Sequence, residues 1–244
     1  MARGRGGGHD GIVAYHRTMS ELAGNGRVRR EWERRFGRRD PKIVCVGRNY
    51  ASHAAESGDE PPAAPLLFGK FANTLCGDGD PIVLPDGVGH VDAEAELAVV
   101  VARTLRAASR AEAWAAVAGY TCANDVSARE VQWGDGQWFR GKGFDTFCPV
   151  GPDVVPLDDP AGRRIVQRLN GEVLQDASTS DLIFPVDELL AYVSRHLTLE
   201  PGDLVLTGTP EGVGAFREPK LSLRRGDVVE VEIDGIGVLR NEVR

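Results

Sequence analysis

The sequence lacks long apolar segments, closely spaced cysteine pairs and a hydrophobic leader. Its longest uninterrupted apolar runs, 97–102 and 113–118, have six residues each, whereas a membrane-spanning helix needs about 20. The glycines after Arg3 and Arg5 supply no apolar stretch of about 7–15 residues, as a secretory signal would. We therefore expect no membrane partner and a location in the cytoplasm.

The cysteines also exclude a zinc knuckle and a redox centre built on a CxxC motif. Four cysteines are spaced 31, 46 and 26 positions apart, and the spacing contains no such pair. We expect them to be reduced and structural. They are Cys45, Cys76, Cys122 and Cys148.

Charge is distributed unevenly along the 244 residues. Residues 1–40 hold ten Arg against five acids (+5), which leaves 19 basic and 31 acidic residues (−12) in residues 41–244. An Arg-rich arm can contact nucleic acid through phosphate charge, but residues 1–40 carry no nucleic-acid-binding motif and the acidic body repels a polyanion. The sequence predicts an irregular Arg/Gly-rich segment over 1–40, a separate domain over 41–244 and no nucleic-acid partner.

From residue 41 onward, short β-branched runs outnumber helical patterns. Helices are predicted at about 111–117, opened by a Ser109–Glu112 capping box, at 187–196 and, as a short turn, at 50–57. The Asp234-Gly235 dipeptide favours a type I′ hairpin. Strands and helices do not alternate regularly, so we predict a β-rich α+β fold with a largely antiparallel sheet. The predicted strands are 43–46, 81–84, 96–101, 204–206, 228–233 and 236–239.

Acidic residues alternate where the 96–101 strand begins. Asp92, Glu94 and Glu96 occupy every second position, and alternate strand side chains point to one face. Like charges about 6–7 Å apart on one face are unfavourable unless a cation neutralises them, and Mg²⁺ or Mn²⁺ prefers carboxylate oxygens. The pattern fits either a solvated strand face or part of a metal site.

A fourth acid, Asp125, follows an apolar segment that reads as the end of a strand. Its position is typical of a turn residue or a helix N-cap. Together with Glu94 and Glu96 it is also a candidate third metal ligand.

The segment 136–143 matches the GxxxxGK phosphate-loop pattern but has Gly143 in place of the required Ser or Thr. No strand pattern precedes it and no helix pattern follows, so nucleotide binding is not supported. Lys142 remains a lysine among glycines, either at the surface or where the backbone approaches a ligand closely.

His53 and Glu56 are three residues apart and share one face if residues 50–57 are helical. A carboxylate beside an imidazole fixes its tautomer and raises its basicity, as a general base that activates water requires. A casual surface pair is the alternative interpretation.

Six segments in order make residues 41–244 resemble the fumarylacetoacetate hydrolase family. The matching segments are 44–56 (VCVGRNYASHAAE), 91–100 (VDAEAELAVV), 118–132 (AGYTCANDVSAREVQ), 137–152 (QWFRGKGFDTFCPVGP), 169–179 (LNGEVLQDAST) and 201–214 (PGDLVLTGTPEGVG). The family's lysine-proline is Lys70-Phe71 here, and its Ala-Arg-Asp is Ala128-Arg129-Glu130.

The resemblance implies a mixed β-roll, a catalytic domain over 41–244, and usually a homodimer. It assigns the residues of this sequence three roles. Metal ligands for Mg²⁺ or Mn²⁺ are Glu94, Glu96 and Asp125; catalytic residues are His53, Glu56 and Lys142; substrate-contacting residues are Arg129, Gln132 and Thr209, with Arg48 and Lys70 as further pocket candidates.

The chemistry expected of this set is hydrolysis of a 3-acyl-2-keto acid, of the acylpyruvate or fumarylpyruvate type, to pyruvate and a carboxylic acid. The alternatives are oxaloacetate decarboxylation or isomerisation of 2-hydroxyhepta-2,4-diene-1,7-dioate at the same metal-enolate site. A metal-dependent binding protein without catalysis is a third possibility from a different class, which the filled catalytic positions argue against.

Overall fold

The structure is a computed structural model of the protein, and it describes residues 23–58 and 60–244. Its strands are β1 (Ile43–Gly47), β2 (Leu66–Lys70), β3 (Leu75–Gly77), β4 (Val91–Asp92), β5 (Ala95–Val101), β6 (Val117–Asn124), β7 (Ser127–Ala128), β8 (Cys148–Val150), β9 (Arg164–Leu169), β10 (Glu172–Ser178), β11 (Leu204–Leu206), β12 (Val228–Ile233) and β13 (Gly237–Glu242). Its α-helices are α1 (Ala23–Phe36), α2 (Ala51–Glu56), α3 (Arg110–Trp114), α4 (Arg129–Asp135), α5 (Trp138–Lys142) and α6 (Val186–His196).

Seven strands form a curled half-barrel sheet in the order β2-β1-β11-β5-β6-β8-β3. Parallel pairing joins β1 to β11 and β3 to β8, and the other neighbours in this sheet are antiparallel. A second, antiparallel sheet has the order β10-β9-β12-β13. This mixed, strand-rich arrangement confirms the predicted α+β class.

The main core lies where the two sheets and α6 meet. Leu97 and Val99 from β5, Val231 from β12, and Leu189 and Leu190 from α6 belong to one buried apolar cluster. Every residue of β5 is buried, as expected for a strand covered on both faces. The capping box between Ser109 and Glu112 opens α3 as predicted.

Two local predictions differ from the structure. Residues 81–84 form no strand and make only a single bridge, from Ile82 to Val243. The β12–β13 hairpin is present, but three residues, 234–236, join its strands, and of the predicted pair only Gly235 has a positive φ, of 77°. A type I′ turn needs positive φ at both central positions, so the predicted turn type is wrong because Asp234 keeps an ordinary backbone conformation.

The prediction of an irregular N-terminal segment is wrong for 23–36, which form α1. Val28 and Trp32 are buried against β3 and its neighbours, and Trp32 Nε1 donates to the carbonyl of Gly202 at 2.8 Å. Val28, Trp32 and Phe36 lie four residues apart and so share one helix face, a pattern diluted in the sequence by arginines. Residues 1–22 lie outside the described residues.

The four cysteines are buried free thiols. Burial raises the pKa of Cys122 and of Cys148 to about 12, so both are protonated at neutral pH. Within residues 23–58 and 60–244, no helix has the length and apolar character needed to cross a membrane.

Candidate active site

A cavity of about 330 Å³ opens beside the end of β1 and the start of β5. It is lined by carboxylates, by cationic side chains and by aromatic rings, the rings being those of Phe68, Trp133, Trp138 and Phe216. Segments far apart in the sequence therefore meet in one mixed polar and aromatic cavity.

Glu94, Glu96 and Asp125 come together at the floor of this cavity. The β5–β6 register pairs Ala95 with Asn124, and the amide of Asp125 donates to the carbonyl of Glu94 at 2.9 Å. One carboxylate oxygen from each of the three acids lies within 4.8 Å of the others, and all three residues are buried. The sheet register therefore converts two distant segments into one acidic cluster.

The acids of this cluster differ in how strongly neighbouring cations stabilise their charge. Lys142 Nζ donates to Glu94 Oε2 at 2.8 Å and to Asp125 Oδ2 at 2.6 Å. Burial opposes ionisation of Glu94, but the charges of Lys142 and Arg129 outweigh it and hold the pKa of Glu94 well below its usual range. Burial, followed by the neighbouring Asp125 and Glu94, raises the pKa of Glu96 well above its usual range.

Glu96 receives a backbone hydrogen bond, from the amide of Gly208 to Oε2 at 2.6 Å. Gly208 has a φ of 100°, and a Cβ there would lie 2.9 Å from the Cβ of Asn49. Glycine therefore allows the segment 207–210 to pack closely on Asn49 while its amide reaches Glu96.

The donor set fits a hard divalent cation. All three candidate ligands are carboxylate oxygens, the kind that Mg²⁺ and Mn²⁺ prefer. Burial, followed by the neighbouring Asp125 and Glu94, disfavours ionisation of Glu96, and a cation bound among the three acids would offset that effect. Within the described residues, this is the one group of acid, histidine and cysteine side chains found close enough to hold an ion.

Asp92 is not part of the cluster that Glu94 and Glu96 form with Asp125, although the alternation in the sequence grouped it with Glu94 and Glu96. Strand β4 ends at Asp92 and β5 begins only at Ala95, so the strand is broken between the acids. The Asp92 carboxylate turns instead to Arg129, whose Nε donates to Oδ2 at 2.8 Å.

His53 and Glu56 lie on one face of α2, as predicted, and His53 lines the cavity. His53 Nδ1 is 3.3 Å from Glu56 Oε2, and the amide of Gly212 donates to Glu56 Oε1 at 2.9 Å. A proton on Nδ1, held by Glu56, leaves Nε2 free to accept a proton. The pair therefore has the geometry of an oriented base.

Four of the predicted substrate-contacting residues line the cavity: Arg48, Arg129, Gln132 and Thr209. Arg129 also donates through Nη1 to Gln132 Oε1 at 3.0 Å and through Nη2 to Glu94.

Lys70 is not among the residues that line the cavity, and its role as a pocket residue remains a prediction. Its side chain is fully buried, and Nζ pairs with Asp125 and donates to the carbonyls of Phe147 and Val126, the latter at 3.3 Å. Lys70 is the last residue of β2 and the buried one of that strand, and its ammonium contacts Asp125.

Three buried supporting residues were not predicted. Ser127 accepts from Lys142 Nζ at 2.7 Å. Asn49 donates through Nδ2 to the carbonyl of Thr207 at 2.8 Å and accepts through Oδ1 from the amide of Phe184 at 2.8 Å. Gln175 donates to Thr209 Oγ1 at 2.9 Å and accepts from the amide of Ala95 at 2.9 Å. Only their places within the six matching segments could have indicated them, because such partners are fixed by tertiary contacts.

The segment 136–143 forms no phosphate loop. Helix α4 precedes Gly136, and Lys142 is the last residue of α5, whereas a phosphate loop joins a strand to the start of a helix.

Comparison with known proteins identifies the family of the chain. Residues 42–244 match the family model described as fumarylacetoacetate (FAA) hydrolase C-terminal. Over 210 residues the chain is 47% identical to the mitochondrial oxaloacetate tautomerase FAHD2A of Bos taurus, a match that covers 84% of this chain and 67% of that protein.

Solved structures are similar as well. The 2-hydroxyhepta-2,4-diene-1,7-dioate isomerase from Mycobacterium marinum has a TM-score of 0.75 at 44% identity, over 83% of this chain and 73% of that one. Fumarylpyruvate hydrolase from Pseudomonas aeruginosa, solved with Mn²⁺ and pyruvate, has a TM-score of 0.74 at 33% identity, over 83% of this chain and 88% of that one.

The fold thus defines a class of enzymes, and the site contains a buried group of three carboxylates of the kind that can hold a metal ion. The chain belongs to the fumarylacetoacetate hydrolase family.

Proposed function

We propose that the protein is a divalent-metal-dependent hydrolase that cleaves the C–C bond of a 3-acyl-2-keto acid, of the acylpyruvate or fumarylpyruvate type, to pyruvate and a carboxylic acid. The observation that carries the proposal is that His53, which is oriented by Glu56, lines the same cavity as the three-carboxylate cluster.

Glu94, Glu96 and Asp125 would hold Mg²⁺ or Mn²⁺. When bound, the cation supplies positive charge for the keto and carboxylate oxygens of the substrate. The ammonium of Lys142 adds a second positive charge at the same place, and the charge that develops on the substrate oxygen is therefore stabilised before and after bond cleavage.

His53 would take a proton from water through Nε2 while Glu56 holds Nδ1. The water oxygen bonds to the distal acyl carbon and the bond between C3 and C4 breaks. The electron pair of that bond stays on the pyruvate fragment as its enolate. Return of the proton from Nε2 of His53 to C3 then gives pyruvate and regenerates the neutral imidazole. General base catalysis of this kind contributes about 10²–10⁴-fold.

A second candidate is oxaloacetate tautomerisation, which the 47% identity to an oxaloacetate tautomerase favours. Oxaloacetate decarboxylation and 2-hydroxyhepta-2,4-diene-1,7-dioate isomerisation use the same enolate stabilisation. None of these reactions adds a water oxygen to the substrate.

Purified protein with Mg²⁺ or Mn²⁺ tests these reactions side by side. Loss of enol absorbance with release of pyruvate from acetylpyruvate or fumarylpyruvate supports hydrolysis. Loss of the oxaloacetate enol without pyruvate indicates tautomerisation, and pyruvate from oxaloacetate indicates decarboxylation. His53→Ala should reduce hydrolysis by about 10²–10⁴-fold, whereas decarboxylation should persist. No turnover of any of these substrates would contradict the proposal, and ligand-induced stabilisation without turnover would indicate a binding protein.

The proposal includes a homodimer in the cytoplasm. Large exposed apolar side chains, among them Phe71 and Phe139, whose ring centroids lie 5.1 Å apart, support self-association. Light scattering after size-exclusion chromatography measures the mass; a monomer at micromolar concentration would contradict this part.

A further inference from the structure

Asp92 belongs to the alternating acidic motif but has no place among the candidate metal ligands. Its carboxylate is fully buried, with Oδ1 2.6 Å from His90 Nε2. Oδ2 accepts from Arg129 Nε at 2.8 Å and from the amide of Ala215 at 3.1 Å. One buried carboxylate therefore connects three separate segments of the chain.

The contact with Arg129 fixes a cavity-lining cation. Asp92 takes Nε, Gln132 takes Nη1 and Glu94 takes Nη2, so three acceptors define the plane of the guanidinium. Of these acceptors Asp92 is the one charged group outside the metal cluster, and it holds Arg129 independently of whatever the ligands Glu94, Glu96 and Asp125 bind.

The contact with Ala215 fixes a second wall of the cavity. Ala215 is the middle residue of the 3₁₀ turn Gly214–Phe216. A Cβ at Gly214 would lie 2.6 Å from Asp92 Oδ1, so the turn packs directly on the carboxylate. The ring of Phe216 then lies with its centroid 6.0 Å from that of His53 and 5.9 Å from Arg129 Cζ.

We propose that Asp92 is a positioning residue that, through one carboxylate oxygen, places the guanidinium of Arg129 and the ring of Phe216 relative to His53. Asp92 does not line the cavity and acts only through these two side chains. The inference rests on the proposed function for the role of Arg129 in holding the oxo acid.

The test compares Asp92→Asn and Asp92→Ala with Arg129→Gln and with the double variant D92N/R129Q. The matched control is Asp86→Asn, because Asp86 is an exposed acid that pairs with the exposed Arg225. Kinetics give kcat and KM, and calorimetry gives the affinity for Mn²⁺ and, with Mn²⁺ present, for oxalate.

Misplacing a substrate-holding group weakens binding of the oxo acid. D92N should raise KM and weaken oxalate binding about tenfold, and D92A more, whereas D86N should change neither. Mn²⁺ affinity should stay within about twofold, since Asp92 is not a ligand. In the R129Q background the effect of D92N should be smaller than in the wild type, because the part that acts through Arg129 is already lost and only the part that acts through Phe216 remains.

Two outcomes would overturn the inference. Full additivity of D92N and R129Q would mean that Asp92 does not act through Arg129. A loss of Mn²⁺ affinity as large as the loss of oxalate affinity would place its effect in the metal centre or in general folding.

A readout independent of turnover separates this inference from the proposed function. In ¹⁵N-arginine-labelled protein, the Arg129 Nε–H signal, assigned by its loss in Arg129→Lys, should exchange slowly with solvent in the wild type and in D86N. It should exchange rapidly in D92A while the other arginine signals keep their positions. Slow exchange in D92A would refute the positioning role of Asp92, even if no substrate were found. Absence of both turnover and oxalate binding in the wild type would refute only the proposed function.

Discussion

Lys142 Nζ lies 2.6 Å from Asp125 Oδ2, and both side chains are almost completely buried. The same ammonium also donates to Glu94 and Ser127. Burying charges is unfavourable unless each has a partner, so the lysine and the two acids depend on one another. This pairing places a permanent cation beside the acidic cluster and inside the cavity.

Lys142→Met should destabilise the metal-free protein by about 3–5 kcal/mol, because removal of one partner leaves buried carboxylates uncompensated. Mn²⁺ should recover more stability in the variant than in the wild type, since the ion replaces the missing charge. Urea unfolding with and without Mn²⁺ measures both effects. Equal stabilisation of the two proteins by Mn²⁺ would contradict the pairing of Lys142 with the metal site.

Lys70→Met tests whether the second buried lysine has a structural role or contacts the substrate. Lys70 pairs with Asp125 and does not line the cavity, so the variant should lose stability and Mn²⁺ affinity. KM at saturating Mn²⁺ should remain within about twofold of the wild-type value, since no substrate-binding group is removed. A tenfold rise in KM under those conditions would indicate that Lys70 contacts the substrate.

Glu96 should make the stability of the metal-free protein depend on pH. Burial and the neighbouring Asp125 and Glu94 raise its pKa well above 4.5, so the folded state binds a proton that the unfolded state has lost. This contribution is complete below pH 4.5 and is lost as the pH rises through the raised pKa. Glu94, with its lowered pKa, acts in the opposite sense, below pH 4.5.

The measurement is thermal unfolding of the wild type and Glu96→Gln in chelator from pH 4.5 to 8.5. The wild type should lose stability relative to E96Q as the pH rises, and its apparent Mn²⁺ affinity should increase over the same range because binding releases the proton. Parallel stability curves for the two proteins would show that Glu96 is ionised throughout.

Trp32→Ala should cost about 3–5 kcal/mol of stability, because it empties a buried site and removes the hydrogen bond to Gly202. Trp114→Ala is the matched control, since Trp114 is 40% exposed and should cost much less. Denaturant unfolding measures both. A small effect at Trp32 would mean that α1 is not part of the core packing.

The sequence predicted the parts of this molecule that depend on local patterns. Periodicity, capping and alternation indicated the strand that contains Glu96, the helices that contain His53 and Leu190, and the acidic segments. The resemblance brought Glu94, Glu96 and Asp125 together, and the β5–β6 register explains that convergence physically.

What the sequence could not provide depends on tertiary contacts. Asp92 breaks the alternation because β4 ends there, the ammonium of Lys70 contacts Asp125, and Gln175 supports Thr209 from another sheet. Helix α1 was missed because three apolar residues in a basic segment give only a weak periodic signal. In each case the partner lies more than 30 positions away, beyond the reach of a local pattern.

The most direct test of the account is titration of Mn²⁺ into the wild type and into Glu94→Gln, Glu96→Gln, Asp125→Asn and Asp92→Asn. We expect one ion per chain in the wild type and in D92N. In each of the other three variants the affinity for Mn²⁺ should fall by at least about 10–100-fold, as is typical of disturbed metal sites. Absence of Mn²⁺ and Mg²⁺ binding by the folded wild type, or unchanged binding in all three ligand variants, would contradict it.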